Sequence, residues 1–95
     1  MAGVWYTYIM ANPASTVLYI GVTGDLARRV AEHKSRCGTG FTATYNATAL
    51  VFYGEHSSPQ DAIGREKQLK GWRRERKIAL IRDANPDMRD LSLEW

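Results

Sequence analysis

Apolar and polar positions change rhythm along this chain, and the changes mark its elements. "VWYTYIM" (4–10) and "VLYIGV" (17–22) are aromatic and β-branched runs and predict two strands. Between them "ANPAST" (11–16) is turn chemistry, so the pair reads as an antiparallel hairpin with a six-residue loop. Apolar residues then recur at helical spacing after Asp25, a good N-cap, which predicts a helix to about Ser35. "CGTGFTATYNAT" (37–48) reads as a glycine- and threonine-rich loop, and "ALVFYGE" (49–55) as a third, central strand. "SSPQDAIGREKQLKG" (57–71) opens a helix with Ser58 as cap, Pro59 in the first turn and Asp61 three past the cap. Gly71 interrupts it. A further helix opens in the Trp72–Lys77 stretch, runs through about Asp83 and stops at Asn85-Pro86. The order ββαβαα predicts a small α/β (α+β) sandwich, a three-stranded antiparallel or mixed sheet flanked by helices, as one domain over residues 1–95.

Helical geometry assigns faces, because successive residues turn about 100°. With Leu26 as origin, Val30 falls at about 40°, His33 at about −20° and Arg29 at about −60°. Arg28 falls at about 200°, facing water. In the next helix, counted from Ala62, Leu69 lies at about −20° and Glu66 at about 40°, inside the apolar arc. A carboxylate there is costly unless paired or bound to a cation. It is either a structural ion pair with Arg29 or Arg65, or a metal ligand or general base at the rim of a cleft. On the strands, Tyr6 and Tyr8 share one face and Tyr19 lies on the paired strand.

Composition narrows the class. At 95 residues, 44% hydrophobic and 24% charged, the chain suits a single modest core. No apolar stretch is long enough to span a membrane. The start, "MAGVWYTYIM", lacks the features of a signal peptide, and Cys37 has no internal partner for a disulfide; both favour a reducing cytoplasm. The net charge of +3 is mild but unevenly spread. Arg65, Lys67, Lys70, Arg73, Arg74, Arg76, Lys77 and Arg82 stand against only Glu66 and Glu75 between residues 65 and 82. That stretch is either a solvated face or a surface for a polyanion, DNA or RNA, with Lys70, Arg73, Arg74 and Lys77 as candidate nucleic-acid contacts.

Tyr6-Thr7-Tyr8, ten residues, then Tyr19-Ile20-Gly21 resembles the signature of the GIY-YIG nuclease family. Asp25, Arg29 and His33 follow at that family's spacings, and "GREKQLKGW" resembles the helix that carries its metal-binding glutamate, at Glu66. Nearly the whole chain resembles the small stand-alone bacterial members. The sequence departs from the wider family in having Tyr6 in place of glycine, Val22 where the repair enzymes have lysine, and Met88 where close relatives have an aromatic residue. The resemblance implies a metal-dependent endonuclease module acting on DNA, as in excision repair and homing enzymes. It implies one Mg²⁺ or Mn²⁺ on Glu66, Arg29 at the scissile phosphate, and Tyr8 and Tyr19 orienting or deprotonating water.

These residue types suit the chemistry. A metal on a carboxylate can act as Lewis acid for the leaving 3′-oxygen. An arginine's planar fork can neutralise the non-bridging oxygens. Tyr8, Tyr19 or His33 can receive the proton from water; for a tyrosine this requires nearby positive charge to favour the phenolate. A zinc site from His33, Cys37 and His56 lacks paired spacing, and Gly38-Thr39-Gly40 has no following lysine. "TGFTATY" (39–45) partly echoes the aromatic strand of RNA-recognition domains, in the wrong element order. The rival function is a module of the same fold that only binds DNA or RNA.

Overall fold

The apolar runs do pair, and they do so around the first of them. In the computed structural model, which describes residues 3–35 and 47–95, β1 (Trp5–Ala11) and β2 (Leu18–Thr23) form the expected antiparallel hairpin. Tyr8 stands opposite Gly21 and Met10 opposite Tyr19. Asn12 shapes the connection: its Oδ1 accepts from the Val17 N–H at 2.9 Å and its Nδ2 donates to Thr16 Oγ1 at 2.7 Å. β3 (Ala49–His56) pairs antiparallel with the other edge of β1, giving the order β2-β1-β3. The middle strand is therefore β1, which corrects the expectation of a central β3. An apolar run looks alike at the centre and the edge of a small sheet, but the exposed Tyr53 and Glu55 mark β3 as an edge.

Side chains of a strand alternate between faces, and two cores result. α1 (Leu26–Ser35) lays Leu26 and Val30 on Tyr8, Met10 and Leu50. α2 (Pro59–Lys70) and α3 (Arg74–Ala84) lay Leu69 and Ile81 on Ile9, Ala11, Ile20 and Val51 of the opposite face. α2 starts as its sequence signals require, with Ser58 Oγ accepting from the Asp61 N–H at 3.2 Å. It stops in a tight turn, with the Trp72 N–H donating to Leu69 O at 3.1 Å. Gly71 has an ordinary φ of −80° there. Trp72 packs on the second core, so α3 begins at Arg74, later than the sequence suggests.

The tail is tied down by two buried or half-buried polar side chains. Asn85 Nδ2 donates to Val51 O at 3.0 Å and Arg89 O at 2.9 Å. Asp90 accepts from the Leu50 N–H at 3.1 Å and from Lys34 Nζ at 2.5 Å, and it caps a 3-10 turn over Leu91–Glu94. Residues 36–46, which include Cys37, the Gly38-Thr39-Gly40 turn and the 39–45 aromatic echo, lie outside the described residues. No described helix is long and apolar enough to cross a membrane.

Candidate active site

The site grows from the middle of β1. Tyr8 points to the α1 face and is 1% exposed. Its ring lies across Gly21, where a Cβ would come within 2.5 Å of the phenol oxygen and 2.6 Å of Cζ. The glycine of Tyr19-Ile20-Gly21 is thus the space that the tyrosine of the neighbouring strand occupies.

Two residues of α1 meet the Tyr8 hydroxyl. Arg29 Nε donates to it at 3.3 Å, and His33 Nε2 lies 3.0 Å away. The phenol oxygen thus accepts from the guanidinium and shares a hydrogen bond with the imidazole. Tyr19 completes the cluster, its ring 5.0 Å from that of His33 in an edge contact and 6.3 Å from that of Tyr8. Burial raises the Tyr8 hydroxyl above the ordinary phenol range; the Arg29 hydrogen bond opposes this, while the charges of Tyr19 and Glu66 add to it. The bond to Tyr8 raises Arg29 in turn, with help from Glu32 and Tyr19 against desolvation, so Arg29 stays a cation.

The two arginines part as helical geometry requires. The Arg29 side chain is 40% exposed and aimed at the tyrosines, whereas that of Arg28 is 76% exposed. Glu32 bridges them, with Oε1 3.1 Å from Arg29 Nη1 and Oε2 3.4 Å from Arg28 Nε. Sequence reasoning missed Glu32, although a carboxylate at i+3 and i+4 from two arginines is a legible signal. An open groove of about 540 Å³ runs past Trp5, Thr23, Arg28, Arg29 and Glu32.

Glu66 sits half-buried on α2, its side chain 20% exposed, and pairs with Lys70 at 3.2 Å. Its partner is therefore neither Arg29 nor Arg65. Arg65 bonds Gln68 at 2.7 Å and lies over the Trp72 ring, which Arg76 covers at 4.0 Å. Among the described residues no three of His, Cys, Asp and Glu gather as a metal cage. A single carboxylate with one oxygen engaged suits a hydrated divalent cation of the Mg²⁺ kind, which keeps several waters. Lys70 and the half-buried Lys77 line a shallow cavity of about 250 Å³ with Tyr19. Arg73 and Arg74 are exposed at the start of α3, where the Arg74 guanidinium donates to Ser15 O.

The strand tyrosines thus face an arginine and a histidine of the first helix on an antiparallel three-strand α+β fold. The model of the GIY-YIG catalytic domain matches residues 4–79, and the chain belongs to the GIY-YIG family, a nuclease fold family. It is similar to a UPF0213 protein of Staphylococcus haemolyticus, 31% identical over 78 residues that span 82% of this chain and 94% of the relative. UPF0213 proteins of Yersinia pestis and Yersinia pseudotuberculosis are each 32% identical over 79 residues, covering 83% of this chain and 82% of theirs. No solved structure matches the chain significantly.

Proposed function

We propose that the chain is a single catalytic domain, a divalent-metal-dependent endonuclease that hydrolyses DNA phosphodiester bonds. One observation supports this most: Tyr8, Tyr19, Arg29 and His33 stand in mutual contact beside an open groove, within electrostatic reach of Glu66. Arg29 binds the scissile phosphate and neutralises the charge that builds on its non-bridging oxygens. Its rigid seat on Tyr8 and Glu32 lowers the cost of holding that pose. Tyr8 stays protonated and serves as a positioning residue between Arg29 and His33. Tyr19, its ring against that of His33, orients the attacking water, and Tyr19 or His33 takes the proton that the water loses. Glu66 is the residue to hold Mg²⁺ or Mn²⁺, which when bound supplies Lewis-acid charge to the leaving 3′-oxygen. Lys70, Arg73, Arg74 and Lys77 carry flanking phosphates.

Supercoiled plasmid and labelled branched DNA, incubated with Mg²⁺, Mn²⁺ or EDTA, test this directly. Glu66→Gln should abolish metal-dependent cleavage and leave DNA binding nearly intact, because the basic residues carry the phosphate contacts. A variant that cuts as well as the parent refutes the assignment of Glu66. Binding without cleavage by the parent on every substrate favours the binding-only module.

A further inference from the structure

Two grooves meet at Gly24 and Asp25. One is the arginine groove described above. The other, about 360 Å³, is walled by the rings of Tyr6, Tyr53 and Trp95 and has no lysine or arginine in its described lining. Tyr6 and Tyr53 meet edge to face, with centroids 6.1 Å apart and planes at 68°. Tyr53 is 38% exposed and Trp95 58%, so large aromatic faces stand open to solvent beside a nuclease site.

Charge separates what the two grooves can take. Arg28 and Arg29 suit a phosphate backbone, whereas the lone carboxylate of Asp25 repels phosphate from the aromatic side. That carboxylate spends Oδ1 on the Arg28 N–H at 3.1 Å, capping α1, which leaves Oδ2 to accept from an amino group. Adenine, cytosine and guanine are flat, uncharged and carry such amino groups. Aromatic side chains bind bases by stacking, and a base must be unpaired to reach them.

We infer that the aromatic groove takes one unpaired nucleobase of the DNA whose backbone lies in the arginine groove, which rests on the nuclease reading above. The protein then favours DNA with an unstacked nucleotide beside the cut, such as a bulge or flap, over a perfect duplex.

The test uses the full chain carrying Glu66→Gln, so that DNA is bound and not cut. Fluorescence anisotropy compares a duplex bearing one bulged 2-aminopurine with the same duplex fully paired, and the probe's own emission reports stacking. The bulged DNA should bind about tenfold tighter, the scale of one base–aromatic stack, and its 2-aminopurine should be quenched. Tyr53→Ala and Trp95→Ala should each remove most of that preference and quenching without changing duplex affinity, and Tyr53→Phe should retain both. Equal affinity for the two DNAs, a preference that survives both alanine variants, or equal losses on both DNAs would overturn the inference. Failure of the nuclease reading is seen separately, as absent cleavage by the parent with either metal. Cleavage without bulge preference removes the aromatic subsite alone.

Discussion

Arg28 and Arg29 differ by one position in the chain and about 100° around the helix, and everything else about them follows from that angle. Both border the groove, but Arg29 donates to the Tyr8 hydroxyl, while Arg28 pairs with Glu32 from a mostly exposed side chain. A transition-state contact to phosphate is worth far more than an exposed ion pair. Arg29→Ala should therefore slow single-turnover cleavage on the order of 10²-fold or more. Arg28→Ala should change it little, mostly through weaker binding as salt rises. Arg29→Lys should rescue poorly, since an ammonium lacks both the Nε donor for Tyr8 and the planar fork. Equal losses from the two alanine variants would show that the bond to Tyr8 does not set the phosphate site.

The last ordered turn of the chain depends on Asp90. Burial pushes its carboxyl up, but hydrogen bonds from Lys34, Ser92 and Leu50 together outweigh that and hold it below the usual carboxylate range. A carboxyl with a lowered folded-state pKa adds stability above its unfolded range and loses it as pH falls through the folded value. Thermal melts from neutral to acid pH should thus show a loss that Asp90→Asn has already suffered at neutral pH, on the order of 2 kcal/mol. An Asp90→Asn variant that melts like the parent at neutral pH, with the same acid slope, would remove Asp90 from this role. Asp90 also shows where sequence reading stops at the scale of elements. The helices over 26–35 and 59–70 were legible because caps and apolar spacing are local. The central place of β1, the late start of α3 and the 3-10 turn were not. Each is decided by partners far along the chain: β3 for β1, the second core for Trp72, the Leu50 N–H for Asp90. The same division runs through the site. Arg29, His33 and Glu66 could be placed on their faces by counting, and the i,i+4 spacing of Glu66 and Lys70 is equally local, but the seat of Tyr8 over Gly21 needed packing to select it.

At the scale of the molecule, the positive charge gathers on α2 and α3, and the proposed substrate is a polyanion. DNA binding should weaken steeply with salt, each neutralised phosphate adding about −0.9 to the log–log slope on duplex. Replacing Arg73, Arg74 and Lys77 together with Gln should flatten that slope. Arg74 also holds the β1–β2 connection through Ser15 O, so its share of the change is partly a loosened loop. A slope that the triple change leaves untouched would return these residues to an ordinary solvated face. The central position of β1 has a consequence in time as well as in space. The β1–β2 hairpin closes over a short connection, whereas the β1–β3 ladder must first close the long stretch between Ala11 and Ala49. Short closures cost less chain entropy and come first. A refolding chain should then bring Tyr8, Gly21 and Tyr19 together before β3 docks and before α2 carries Glu66 to them. In pulse-labelled hydrogen exchange the β1–β2 amides would gain protection ahead of those of β3, and simultaneous protection would refute this order. The proposed site would then acquire its phenols before its carboxylate.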